Sequence, residues 1–60
     1  MSILDKLLAY AACNYITLSR IVVDEKVKEG FAVGESSKLK QTVRLYYSNA
    51  TARWFSSINM

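Results

Sequence analysis

Ile16-Thr-Leu-Ser-Arg-Ile-Val-Val23 is the stretch whose reading decides the fold. Its Ile, Thr and Val residues suit a strand. It also lies inside a longer apolar segment, Leu4 to Val27, that no Gly or Pro interrupts. Taken at 3.6 residues per turn, Leu4, Leu7, Leu8, Ala11, Tyr15, Leu18 and Val22 fall on one face, with Ile3 and Ile21 at its edge. Ala9, Ala12, Ile16, Val23 and Val27 make a second stripe roughly opposite, and Lys6, Cys13, Thr17, Arg20 and Asp24 fill the polar strip between them. The helical match covers more residues than the strand match and keeps its phase. The spacing therefore predicts a helix over about 3–28, opened by a capping box of Ser2 and Asp5.

Downstream, Gly30 and Gly34 bracket Phe31-Ala-Val33, and Gly after a turn carrying Lys26 and Lys28 is a usual helix stop. Glu35, Ser36 and Ser37 then offer capping oxygens for a second helix over about 37–58. Its core side would be Leu39, Val43, Tyr46, Tyr47, Ala50 and Trp54, with Leu45 and Phe55 as a smaller patch behind. No internal repeat is read. The fold expected is all-α, an antiparallel two-helix hairpin over 1–60, joined by a Gly-bracketed loop at 30–34 and completed as a helical bundle by oligomerisation. The alternative is α+β, with short strands near 16–23 and 42–47, since Thr42 to Tyr47 alternates in character and Ser48-Asn49 suits a turn.

Size argues for self-association. Sixty residues with one Cys and no His cannot form an internal disulfide or a usual four-ligand zinc site. A chain this short buries only about 60% of its unfolded surface and needs a staple, so homo-oligomerisation through Ala9, Ala12, Ile16, Val23 and Val27 is expected. The lone thiol suits a reducing compartment, and the localisation expected is cytoplasmic. Cys13 follows small residues as in a lipoprotein signal, but Asp5 and Lys6 break the apolar run and no basic segment precedes it, so no signal is read. Charges also interrupt every candidate membrane span.

Function follows by elimination. Without His, and with Asp24 and Glu25 about 100° apart on a helix, no acid–base pair or activated nucleophile presents itself. Cys13 reads as a small buried residue. No enzyme, cofactor or metal is expected. The leading expectation is a non-enzymatic interaction module, a small helical adaptor, inhibitor or assembly subunit that binds itself and a larger protein, with Leu45 and Phe55 as its second patch. The alternative is a small basic DNA- or RNA-binding regulator. Lys38, Lys40, Arg44 and Arg53 gather after Glu35 with no acid among them, and Tyr46, Tyr47, Trp54 and Phe55 lie close by for stacking.

Overall fold

The computed structural model describes residues 2–57 and overturns the helical hairpin. One helix, α1 (Ile3–Cys13), is followed by four strands: β1 (Ile16–Asp24), β2 (Glu29–Ser36), β3 (Gln41–Ser48) and β4 (Arg53–Ser56). The strands form an antiparallel meander in the order β1-β2-β3-β4. The molecule is thus α+β, with the helix laid across one face of the sheet. The class set aside on spacing is the one adopted, and both stretches weighed as strands, 16–23 and 42–47, are extended. The expected end of a second helix, Ile58, lies outside the described residues.

A β-bulge explains why β1 imitates a helix. The register runs Ile16↔Ser36, Thr17↔Glu35 and Leu18↔Gly34, then resumes at Arg20↔Val33, so Ser19 is an extra residue. The slip moves the helix-facing positions from Ile16 and Leu18 to Ile21 and Val23. Strict alternation is lost, and Leu18, Ile21 and Val22 take the i, i+3, i+4 spacing of a helix. In β3 the confusion has another source: Val43, Leu45 and Tyr47 face the helix while Tyr46 faces away. Apolar residues on both faces hide the two-residue period.

The turns carry a repeat that sequence reading missed. Asp24, Ser36 and Ser48 stand twelve residues apart, and each side-chain oxygen accepts a turn amide: Lys26 and Val27 at the first, Leu39 at the second and Thr51 at the third. Each turn then closes on a residue of positive φ, Lys28 at 60°, Lys40 at 55° and Ala52 at 55°. None of these closers is Gly, so the usual turn signal is missing. Gly30 and Gly34 are not loop brackets at all. Both lie within β2, where an added Cβ would stand 2.7 Å from the Trp54 ring at Gly30 and 2.6 Å from Ile16 Cγ2 at Gly34.

α1 ends at Cys13 instead of running on to 28. Asn14 Nδ2 donates to the Tyr10 carbonyl at 2.9 Å, and Tyr15, at φ 57°, reverses the chain. Ser37 fixes that corner by donating from its N–H and its hydroxyl to the Tyr15 carbonyl. At the other end Ser2 Oγ accepts from Asp5 N–H as expected, and the Glu25 carboxylate accepts from the amides of Ile3 and Leu4. Those are the first orphan donors of the helix, satisfied from the β1–β2 turn by the charge sign the helix dipole favours. Trp54 Nε1 donates to the Ile3 carbonyl at 3.0 Å and ties the helix to β4.

The core lies between helix and sheet: Ile3, Leu7 and Ala11 from α1 against Ile16, Ala32, Val43, Leu45 and Trp54. Leu7 and Leu45 are completely buried and contribute about 1.5–3 kcal/mol each. Cys13 is exposed at the end of α1, contrary to the buried position expected. Among the described residues no helix is long and apolar enough to cross a membrane.

Candidate nucleic-acid interface

With α1 on one face, no element among the described residues covers the other face of the sheet. The register aligns Val22 with Phe31, Phe31 with Tyr46, and Tyr46 with Phe55, so one cross-strand row spans all four strands on that face. Ring centroids lie 5.4 Å apart for Phe31 and Tyr46 and 5.8 Å for Tyr46 and Phe55, tilted against each other. The row stays accessible: Val22 is 53% and Phe55 49% exposed, and Phe31 and Tyr46 are half-buried. Burial alone does not account for the row, since its two end members are about half exposed. A water-facing position would satisfy the sheet with Thr or Lys.

The neighbouring rows carry the charge. On one side Arg20, Val33 and Arg44 align, which sets two guanidiniums two strands apart, about 10 Å, beside the rings. Beyond them come Thr17, Glu35 and Thr42. On the other side lie Asp24 and Glu29, which face each other, and Ser48 facing Arg53. Val22, Asp24, Glu29, Phe31 and Tyr46 line a shallow depression of about 440 Å³ there. Among the described residues no carboxylate pairs with Arg20, Arg44 or Arg53, so the guanidiniums are available to a ligand.

The residues singled out from sequence are redistributed. Arg44 and Arg53 reach the open face, and Phe55 ends its ring row. Lys38 and Lys40 are exposed in the β2–β3 turn, away from the row. Leu45 is fully buried in the core and offers no patch. The five positions expected to meet another subunit do not share a surface: Ala9 and Ala12 are exposed on the helix, Ile16 is in the core, Val23 packs against it, and Val27 is exposed in the β1–β2 turn. The double-stripe basis for that interface falls with the long helix.

Arg20, Val22 and Phe31 were missed as site residues, and Tyr46 was placed on the core side and counted among the rings for stacking only in the alternative reading. Reading Thr42 to Tyr47 by alternation would have separated Arg44 and Tyr46 from Val43 and Leu45. Among the described residues no group of His, Cys, Asp or Glu is disposed to hold a metal ion. No known protein family, curated protein or solved structure matches the chain, so the functional reading rests on this geometry.

Proposed function

We propose that the open face binds single-stranded nucleic acid, with bases stacked on Phe31, Tyr46 and Phe55 and phosphates held by Arg20 and Arg44. The observation that carries this reading is the ring row in register across a sheet face that no described element covers, with guanidiniums in the adjacent row that no carboxylate of the described residues pairs. Every base has a π-face, so such a platform is tolerant of sequence, and stacking is worth about 1–3 kcal/mol per base. A four-stranded sheet carrying exposed rings is the physical device by which one class of module holds single-stranded RNA. The net charge of +3 favours a polyanion in general.

Charge also orients the strand. Asp24 and Glu29 repel phosphate from their side of the ring row, so the phosphodiester runs along the Arg20 and Arg44 side. Base edges then point toward the carboxylates, which accept hydrogen bonds from exocyclic amino groups. This is a binding function without catalysis, and the exposed thiol of Cys13 fits the cytoplasm. Presentation of a helix to a larger protein is the weaker reading, because α1 has only 11 residues and packs Ile3, Leu7 and Ala11 on the sheet.

Fluorescence anisotropy with labelled oligo(U), oligo(dT) and a duplex of equal length, over a range of salt, tests the proposal. Both single strands should bind more tightly than the duplex. The slope of log K against log salt should be about −0.7 for each phosphate contacted. Absence of binding at low salt, a flat salt profile or a preference for duplex rejects it.

A further inference from the structure

Among the described residues β1 is an edge strand, with only β2 beside it. Nine residues make it the longest strand, whereas the opposite edge, β4, has four. Unpaired edges are templates for another strand, and proteins usually blunt them with charge, bulges or cover. The bulge at Ser19 disturbs the first half of β1. The second half, Arg20 to Asp24, keeps a regular register.

Exposed apolar side chains also gather on this flank. Ile21 is 42% and Val22 53% exposed within the strand. On α1, Lys6 donates to the Ala52 carbonyl, and Lys6 and Tyr10 line a groove with Arg53 and Trp54, which places that side of the helix over β4. Leu4 and Leu8, on the other side, therefore lie toward β1. Both are exposed. On the helix side, the β4 flank carries Lys6 and Tyr10 beside Arg53, whereas the β1 flank carries Leu4, Leu8 and Ile21.

We infer that two copies of this chain pair antiparallel through their β1 edges, with Val22 facing Val22 on the two-fold axis. The sequence of the edge complements itself in that register alone. Arg20 of one copy faces Asp24 of the other, twice over, on the open face, and Ile21 faces Val23 on the helix side, also twice. Asp24 has a carboxylate oxygen to give, since the turn amides of Lys26 and Val27 use only Oδ1. Centring the pair on Val23 would bring Arg20 against Lys26. Centring it on Ile21 would leave Asp24 facing Leu18. Both alternatives lose the ion pairs, and odd shifts would put the two helices on opposite faces.

The arrangement is isologous, as two-fold interfaces are. It joins the two sheets into one of eight strands. The ring rows then meet at Val22, and Phe55, Tyr46, Phe31 and Val22 of one copy continue into the same residues of the other in reverse order. Leu4, Leu8 and Ile21 approach their counterparts beneath the sheet. The dimer does not depend on nucleic acid; it would double the ring row proposed above, with Arg20 engaged by Asp24 of the other copy and Arg44 left in each copy to hold phosphate.

Sedimentation velocity on the full chain at about 50 µM, without oligonucleotide, should give twice the 6.8 kDa chain mass. Val22→Arg sets like charges on the axis and touches no turn, so it should weaken the dimer by a factor on the order of 100. Arg20→Asp and Asp24→Arg should each be monomeric alone, yet form a mixed dimer when combined, because position 20 then meets position 24 as acid against base at both places, with native polarity in one pair and reversed polarity in the other. Circular dichroism confirms that each variant is folded, and should Asp24→Arg lose its turn, Val22→Arg and Arg20→Asp decide the question. A monomeric wild type overturns the inference, as does a dimer whose mass neither Val22→Arg nor Arg20→Asp alters.

Discussion

Leu45 and Tyr46 are neighbours in β3 and end on opposite faces of one sheet. Leu45 meets α1 and is fully buried, whereas Tyr46 stands half-buried between Phe31 and Phe55 with no described element above it. Both faces are apolar at their centres, and only one is covered. The covered face answers to folding, because it brings together Ile3, Leu7, Ala11, Ala32, Val43 and Trp54. The open face leaves its rings partly exposed and lines them with arginines, more than folding requires. That difference separates residues that hold the molecule together from residues that meet a ligand.

The largest effect should come from the covered face. Leu45→Ala removes a fully buried side chain, and its loss should destabilise the fold by about 2–5 kcal/mol. A domain of this length has only about 3–9 kcal/mol in total, so urea denaturation should show a greatly lowered midpoint or a chain already unfolded in water. A loss well under 1 kcal/mol would mean that the helix does not seal this face.

Tyr46→Ala tests the other side of the same strand. The substitution removes two ring contacts, each worth about 0.5–1.5 kcal/mol, and opens no buried cavity, so stability should fall less than in Leu45→Ala. Oligo(U) affinity measured under folded conditions should drop by about 1–3 kcal/mol. The ordering of the two variants should thus invert between denaturation and binding. If Tyr46→Ala binds as the wild type does, the two faces do not differ in the way proposed.

Legibility in the sequence follows the same division. The N-terminal half of α1 was readable because Ser2, Asp5 and the spacing of Ile3, Leu7 and Ala11 are local signals, and Ser2 Oγ does accept from Asp5 N–H. Its end was not. Asn14 and Tyr15 stop the helix without Gly or Pro, and Tyr15 is held in a left-handed conformation partly by Ser37, twenty-two residues away. No local pattern reports such a contact. The strands were hidden by the Ser19 bulge in β1 and by two apolar faces in β3. Of the site, Arg44, Arg53 and Phe55 were found because cations and rings cluster late in the chain, but their shared face depends on register, which spacing alone did not give. The overlooked local clue was the recurrence of Asp24-Glu-Lys-Val-Lys28, Ser36-Ser-Lys-Leu-Lys40 and Ser48-Asn-Ala-Thr-Ala52 at twelve-residue intervals. A capping oxygen followed by four turn residues, repeated at that interval, marks hairpins.

The turns belong to neither face, and they offer the smallest effect and a control for the comparison. Ala52 closes the β3–β4 turn at φ 55°, a conformation that places strain on any residue with a Cβ and none on glycine. Ala52→Gly relieves that strain, of about 1–2 kcal/mol, against a loss of about 0.5–1 kcal/mol from the added freedom of the unfolded chain. The net expected is a gain of between zero and about 1.5 kcal/mol, visible as a raised urea midpoint with an unchanged slope. The Ala52 carbonyl that accepts from Lys6 is part of the backbone and is retained. Oligonucleotide affinity should stay at the wild-type level, since the substitution reaches neither the ring row nor its arginines. Affinity that rose with stability would show that binding follows the population of folded chain, and the loss in Tyr46→Ala would then have to be corrected for its own loss of stability before it was assigned to stacking.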